Sequence, residues 1–262
     1  MNEPGQRWAL ITGASSGMGV DYARQLAAQG VALVLVARSF EPMRTLADEL
    51  IARHRVPVQV IAQDLAEPGA AQALKRQIDE QGWQIDLLVN NAGFGVHGDF
   101  HRQPLERLQS MLQLNIVALT ELTRLFAADM AARGRGEILL VASIGAYQAS
   151  PTYAAYCASK AYVLLLGEAL HEELKPHGVT VTVLSPGVTA TNFFEVSGQR
   201  ATGYQRLMVM PSDAVVRQAL AALRARRATL VPGLFNALTV FANRFAPRSW
   251  QRKLVYRLMR ND

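Results

Sequence analysis

Tyr156 and Lys160 stand four residues apart, thirteen and seventeen residues after Ser143. The stretch Tyr153-Ala-Ala-Tyr156-Cys-Ala-Ser-Lys160 is rich in alanine and free of proline and glycine, so it reads as helix. A four-residue step puts both side chains on one helix face, about one turn apart. A phenol ionises near pH ~10, too high to trade protons at neutral pH, and an ammonium held beside it favours the phenolate and lowers that value. The pair therefore suits a general acid or base acting on a carbonyl or an alcohol. Tyr153 has Cys157 at the matching offset, so only Tyr156 qualifies. Taken alone, a tyrosine and a lysine on a helix are an ordinary pair; the rest of the chain sets them apart.

Elements that can position a ligand beside this pair begin at the N-terminus. Arg7-Trp-Ala-Leu-Ile-Thr12-Gly13-Ala-Ser15-Ser16-Gly17-Met18-Gly19 passes from an apolar run into a glycine-rich turn. Tyr22, Ala23, Leu26 and Ala27 then share one side of a stretch that stops at Gly30, which makes strand, turn, helix. Gly13 and Gly17 allow the backbone close to a pyrophosphate, Gly19 allows the helix start to pack on the strand, and the helix N-terminus supplies N–H donors. The Gly-x3-Gly-x-Gly spacing is a variant of the dinucleotide fingerprint, and alone it is weak. A second apolar run, Val31 to Ala37, ends at Arg38-Ser39. An acid there would accept hydrogen bonds from a ribose 2′-OH. Arg38 instead pairs with a 2′-phosphate and Ser39 adds a hydroxyl, which favours NADP(H) over NAD(H). The plainer alternative is a solvated charge at a strand end. A third run, Val56 to Ala62, leads to Asp64-Leu65, and a fourth, Ile85 to Val89, leads to Asn90-Asn91-Ala92-Gly93. Small and amide residues directly after strands suit a nucleotide crevice at the carboxyl ends of a sheet.

Thr12-Gly-x3-Gly-x-Gly19, Asn90-Asn-Ala-Gly93, Asn115, Ser143, Tyr156-x3-Lys160 and Pro186-Gly187, taken in order, resemble the short-chain dehydrogenase/reductase family from residue 7 to about 191. The resemblance implies a Rossmann-type α/β fold: a doubly wound, parallel, seven-stranded sheet with helices on both faces, binding NAD(P)(H) for hydride transfer at a carbonyl carbon. By position it implies that Tyr156 is the proton donor or acceptor and that Ser143 hydrogen-bonds the substrate oxygen. Lys160 would lower the Tyr156 pKa and hold the nicotinamide ribose. Asn115 would hold a backbone carbonyl and a water that relays protons to Lys160. Pro186, Gly187 and Val188 would line the nicotinamide, with Thr191 contacting the carboxamide. Family members commonly form homodimers or homotetramers, which is the expected assembly.

The composition agrees. Half of the 262 residues are apolar, and short apolar runs alternate with helical patterns, as in one α/β core. Strands are expected near 7–12, 31–37, 57–62, 85–90, 136–142, 178–184 and 227–231. Cys157 is the only cysteine, so no intrachain disulfide is possible, and a reduced, cytoplasmic location fits. The start carries no signal-peptide pattern, and no apolar stretch reaches the ~20 residues of a membrane span. The five histidines show no metal-ligand spacing, so no metal is expected. His97, following the Asn-Asn-Ala-Gly turn, is the one that could face a substrate.

The substrate pocket is expected from Phe94 and His97, Ile144 to Gln148, Val188 to Phe194 with Phe193, and a loop at about 189–212 carrying Tyr204, Leu207 and Met208. These residues imply an apolar ketone, aldehyde or secondary alcohol. No Arg or Lys stands beside Ser143 and Tyr156 to grip a carboxylate. Steroid, 3-oxoacyl thioester and xenobiotic carbonyls remain open. A dehydrogenase domain is expected over 1–232 and a helical extension over 233–262. From residue 200 onward twelve Arg or Lys face two Asp, a local balance of +10. There Leu234, Leu238, Phe241 and Phe245, and after Pro247 Trp250, Leu254 and Leu258, recur at helical spacing. These two basic helices could pack on the sheet or a second subunit, lie on an anionic membrane surface, or cap the substrate mouth. Without an aromatic-interleaved basic groove, nucleic acid is not an expected partner. A catalytically silent nucleotide-binding or membrane-associated protein is the alternative; the complete Ser143, Tyr156 and Lys160 set argues for an enzyme.

Overall fold

The computed structural model describes residues 6–191, 193–199 and 209–259. Their apolar runs become β1 (Trp8–Thr12), β2 (Ala32–Ala37), β3 (Val58–Ala62), β4 (Ile85–Asn90), β5 (Gly136–Val141), β6 (Val179–Leu184) and β7 (Thr229–Leu230). All pair in parallel in the order β3-β2-β1-β4-β5-β6-β7. Each of the seven expected strands is present. The last shrinks to two residues, joined to β6 through the Val183 N–H on Ala228 O and the Ser185 N–H on Leu230 O.

Why β1 and β2 have no polar side, and β6 only threonines on one, follows from what covers them. Leu10, Val34, Val36, Leu88, Ile138 and Leu140 point to one face, and Ala9, Ile11, Leu33, Leu35, Val89 and Leu139 to the other, the period-two alternation of a strand. The first face is covered by α3 (Ala70–Glu80), α5 (Leu119–Arg133) and α6 (Ala154–Leu174), and the second by α1 (Met18–Ala27), α2 (Phe40–His54) and α8 (Ser212–Arg224). A sheet buried on both sides needs apolar residues at every position. The remaining helices are α4 (Leu105–Leu112), which runs through a π-helical turn, Gln113–Ala118, into α5; the short α7 (Phe193–Ser197); and a C-terminal pair, α9 (Leu234–Ala242) and α10 (Arg248–Met259). Among the described residues no helix is long and apolar enough to cross a membrane.

Two consequences locate the site. From β1 the chain winds outward to β2 and β3, then returns to β4 on the other side of β1, so the connections diverge at the carboxyl ends of β1 and β4 and leave a crevice there. Gly167 of α6 lies so close to β6 that a Cβ would collide with Val183 and meet Leu140 Cδ1 at 3.1 Å. This glycine seats α6 directly on the sheet, with Tyr156 and Lys160 at the crevice end.

Candidate active site

The crevice at the end of β1 is shaped by contacts that tolerate no side chain. Gly13 turns at φ +68°, and a Cβ there would lie 3.0 Å from Ala92 Cα and from Asn91 Nδ2. Buried Thr12 accepts the N–H groups of Asn91 at 3.0 Å and Ala92 at 2.9 Å on its hydroxyl, and Asn91 Nδ2 donates to Thr12 O at 3.0 Å. A Cβ on Gly19 would strike the Gly13 carbonyl. The start of α1 therefore presses on the end of β1, and Gly17 and Met18 border a groove of about 260 Å³. Ser15, Ser16, Arg38, Ser39, Asp64, Leu65, Ala92 and Gly93 line it as well. The Arg38 side chain is 74% exposed and its guanidinium lies 3.9 Å from the Asp64 carboxylate, a pair loose enough to be exchanged for an anion.

At the other end of the crevice Lys160 is buried at 4% exposure, its ammonium donating to Val141 O at 2.8 Å and lying 5.9 Å from the centre of the Tyr156 ring. Burial drives its pKa down to about 8. The Tyr156 phenol is pushed up by burial, further by the neighbouring Cys157, and only partly drawn back by its hydrogen bond with Ser143. The lowering of the phenol expected from Lys160 is opposed by two features: the ammonium donates to Val141 O, and desolvation disfavours both charged forms. Asn115 sits on the π turn, a distortion frequent at functional sites. Its amide brackets the Phe94 backbone, accepting the N–H at 3.2 Å and donating to the carbonyl at 3.0 Å, and donates also to Ser159 Oγ at 3.1 Å. Ser159 in turn donates to Tyr156 O at 2.6 Å. A Cβ on Gly93 would sit 2.9 Å from Asn115 Oδ1 and 3.2 Å from Lys160 Nζ, so this glycine lets loop and helix meet.

Ser143, Tyr156 and Lys160 open into a mainly apolar cavity of about 180 Å³ that also takes in Ile144, Gln148, Pro186, Gly187, Val188 and Phe193. It shares Met18, Asn91, Gly93, Thr191 and Phe193 with the groove, so an elongated ligand can occupy both. A nicotinamide dinucleotide fits this arrangement. The glycines would clear a path for a pyrophosphate at the α1 N-terminus, Arg38 is within the groove where a ribose phosphate could reach it, and a ligand spanning both spaces would end near Tyr156 and Lys160.

The family profile described as short chain dehydrogenase matches residues 7–201. This chain belongs to that family. Short-chain dehydrogenases/reductases are nicotinamide-dependent oxidoreductases of C=O and CH–OH groups. The sequence is 33% identical over 194 residues to a very-long-chain 3-oxoacyl-CoA reductase of Phaeosphaeria nodorum, covering 72% of this chain and 56% of that protein. It is 33% identical to human 17-beta-hydroxysteroid dehydrogenase type 3, covering 71% and 60%. The chain thus spans less than two thirds of the length of these relatives. Among solved structures, a short-chain dehydrogenase from Sphingobium yanoikuyae in complex with NADPH superimposes with a TM-score of 0.83 at 32% identity, covering 94% of this chain and 95% of that one. A bulky-bulky ketone specific alcohol dehydrogenase from Comamonas testosteroni gives 0.77 at 31% identity, covering 91% and 93%.

Most of the residues singled out in this short-chain dehydrogenase sequence line the groove or the cavity. Thr12 and Gly19 do not; they build the turn. Phe94 borders the groove instead of the cavity. His97 is a correction: its ring lies tilted 5.0 Å from that of Tyr153, its backbone N–H donates to Ser197 O, and it is not on the cavity wall. Tyr204, Leu207 and Met208 lie outside the described residues, as does the side chain of Phe194. Sequence reasoning missed Tyr153. Its hydroxyl donates to Gln199 Oε1 at 2.8 Å and pairs with Ser197 Oγ at 2.9 Å, and its ring meets Phe193 and Tyr156, so it fastens α7 over the cavity. The preceding Thr152 adopts φ +69°, held by the Gly98 N–H on its carbonyl at 3.0 Å. The C-terminal helices, for which capping the substrate mouth was one of three expectations, reach residues of the cavity wall at two points. Asn243 Nδ2 donates to Gln148 Oε1 at 2.7 Å, and buried Asn236 occupies the space beside Gly187. No local pattern announces contacts made across more than forty residues.

Proposed function

We propose that this chain is an NADP(H)-dependent oxidoreductase interconverting a ketone or aldehyde and an alcohol on an apolar substrate, with Tyr156 as general acid and base. The observation that carries this reading is the gathering of Ser143, Tyr156 and Lys160 on the wall of an apolar cavity that runs into the glycine-lined groove. When bound, the nicotinamide supplies or accepts the hydride. In the reductive direction Tyr156 gives its proton to the carbonyl oxygen as charge develops there, and Ser143 donates a hydrogen bond to the same oxygen. Lys160 lies close enough to serve both the phenol and a ribose. Asn115, through Phe94 and Ser159, holds loop and helix in register.

Apolar lining supports a lipophilic carbonyl, and the names of the similar proteins, a 3-oxoacyl-CoA reductase, a hydroxysteroid dehydrogenase and a bulky-ketone dehydrogenase, point the same way. Arg38 beside the ribose end supports NADP(H), and homodimeric or homotetrameric assembly follows family habit. The test is Tyr156→Phe with a panel of ketones and NADPH. Turnover is expected to fall about 10²- to 10⁴-fold with NADPH affinity nearly unchanged. Turnover within threefold of wild type removes Tyr156 from the chemistry.

A further inference from the structure

The C-terminal helices carry their amphipathic character inside out. The side of α9 turned to the body carries Asn236, which donates to Pro232 O at 2.9 Å, and half-buried Val240, and just past the helix end Asn243 donates to Gln148. Its larger apolar residues look outward, with Leu234 78%, Leu238 56%, Phe241 54% and, in the turn after it, Phe245 76% exposed. On α10, Gln251 and buried Val255 take the inner side, Gln251 donating to Asn243 O at 2.6 Å, while Trp250 and Leu254 stand 71% and 59% exposed one turn apart. Packing on the chain's own sheet is therefore not what these apolar residues do. Large apolar side chains left exposed in such number mark an interaction site.

We infer that α9 and α10 together form a docking surface for an anionic phospholipid bilayer. Arg244, Arg248, Arg252, Lys253 and Arg257 are exposed around the apolar stripe, and no acidic residue stands between Asp213 and Asp262. Apolar residues sink to the headgroup boundary while cations meet lipid phosphates, and Trp250 and Tyr256 are ring types that favour that depth. A second copy is a poorer occupant. A two-fold contact would set this patch against itself, cation against cation with no carboxylate to compensate, and a head-to-tail contact leaves an open chain of subunits unless it closes. Because Asn243 holds Gln148 on the cavity wall, docking also brings the cavity to the lipid surface, so a lipophilic substrate enters from the bilayer. That last statement rests on the proposed function; the docking does not.

The test is co-sedimentation of the full chain with vesicles of phosphatidylcholine alone or mixed with phosphatidylglycerol, at low and high salt, without substrate. Binding is expected to the mixed vesicles at low salt, to weaken at least tenfold at high salt, and to be far weaker on phosphatidylcholine. Arg252→Gln with Lys253→Gln, both exposed and therefore compatible with folding, is expected to weaken it on the order of tenfold. Trp250→Ser should weaken it as well. Wild-type protein with a normal melting transition that stays in the supernatant at low salt overturns the proposal. So does binding that none of these substitutions changes, since another surface then carries it. A stable oligomer in sedimentation equilibrium that Trp250→Ser dissociates, with no vesicle binding, assigns the face to a second copy instead.

Discussion

Lys160 shows how one buried side chain ties the site to stability. Its pKa in the folded chain, about 8, is below the ordinary lysine value, so the unfolded chain holds the proton more tightly. Between about pH 8 and 10 the unfolded state therefore binds more protons, and stability rises with pH. Lys160→Met removes this dependence. The wild-type stability minus that of the variant, from urea unfolding, is expected to increase by on the order of 2 kcal/mol over that window. A flat difference means that Lys160 keeps its proton in the folded protein. Arg38 is the other residue whose test is local. It was readable from its place at the end of an apolar run, and the groove bears out that place but not its ligand. Arg38→Asp should lower NADPH affinity about tenfold to a hundredfold, the worth of a charge-assisted hydrogen bond, and shift preference toward NADH. Wild-type enzyme that prefers NADH would contradict the assignment.

At the scale of elements, the geometry depends on how closely α6 approaches the sheet. Gly167 has no room for a Cβ against Val183, so Gly167→Val must push α6 away from β6 and is expected to cost about 1–3 kcal/mol by overpacking. Because the same helix carries Tyr156 and Lys160, turnover should fall together with the melting temperature. Unchanged stability would show that α6 can shift freely. The π turn at Asn115 has a related role, since an ordinary helical turn would aim that amide differently. Neither feature was visible in advance. Gly167 sits in an unremarkable helical stretch, and a π turn has no sequence signature comparable to a strand's apolar run. The helix bearing Tyr156 and Lys160 was readable, because its composition and four-residue spacing are local properties.

For the whole molecule, the C-terminal pair changes meaning once placed. Read along the chain, residues after Leu234 stand beyond every cofactor motif, and removing them should spare NADPH binding. In the fold, Asn236 abuts Gly187 and Asn243 holds Gln148, so truncation before Leu234 takes away support from two residues of the cavity wall. Loss of turnover on large apolar ketones is expected to exceed loss on small ones, with NADPH affinity reduced but measurable by titration. Equal loss on both would mean that the pair supports only the core. The doubly wound sheet, the groove and the Tyr156–Lys160 pair could be read from the chain because each is written in short-range patterns: apolar runs, glycine spacings, one helical turn; Ser143 joined the pair only through the family resemblance. Helical periodicity likewise announced α9 and α10. Which side of them faces the body could not be read, because periodicity defines an apolar stripe without saying what covers it. That orientation, the fastening of α7 by Tyr153, and the balance of burial over charge at Tyr156 were decided only by contacts between residues far apart in sequence.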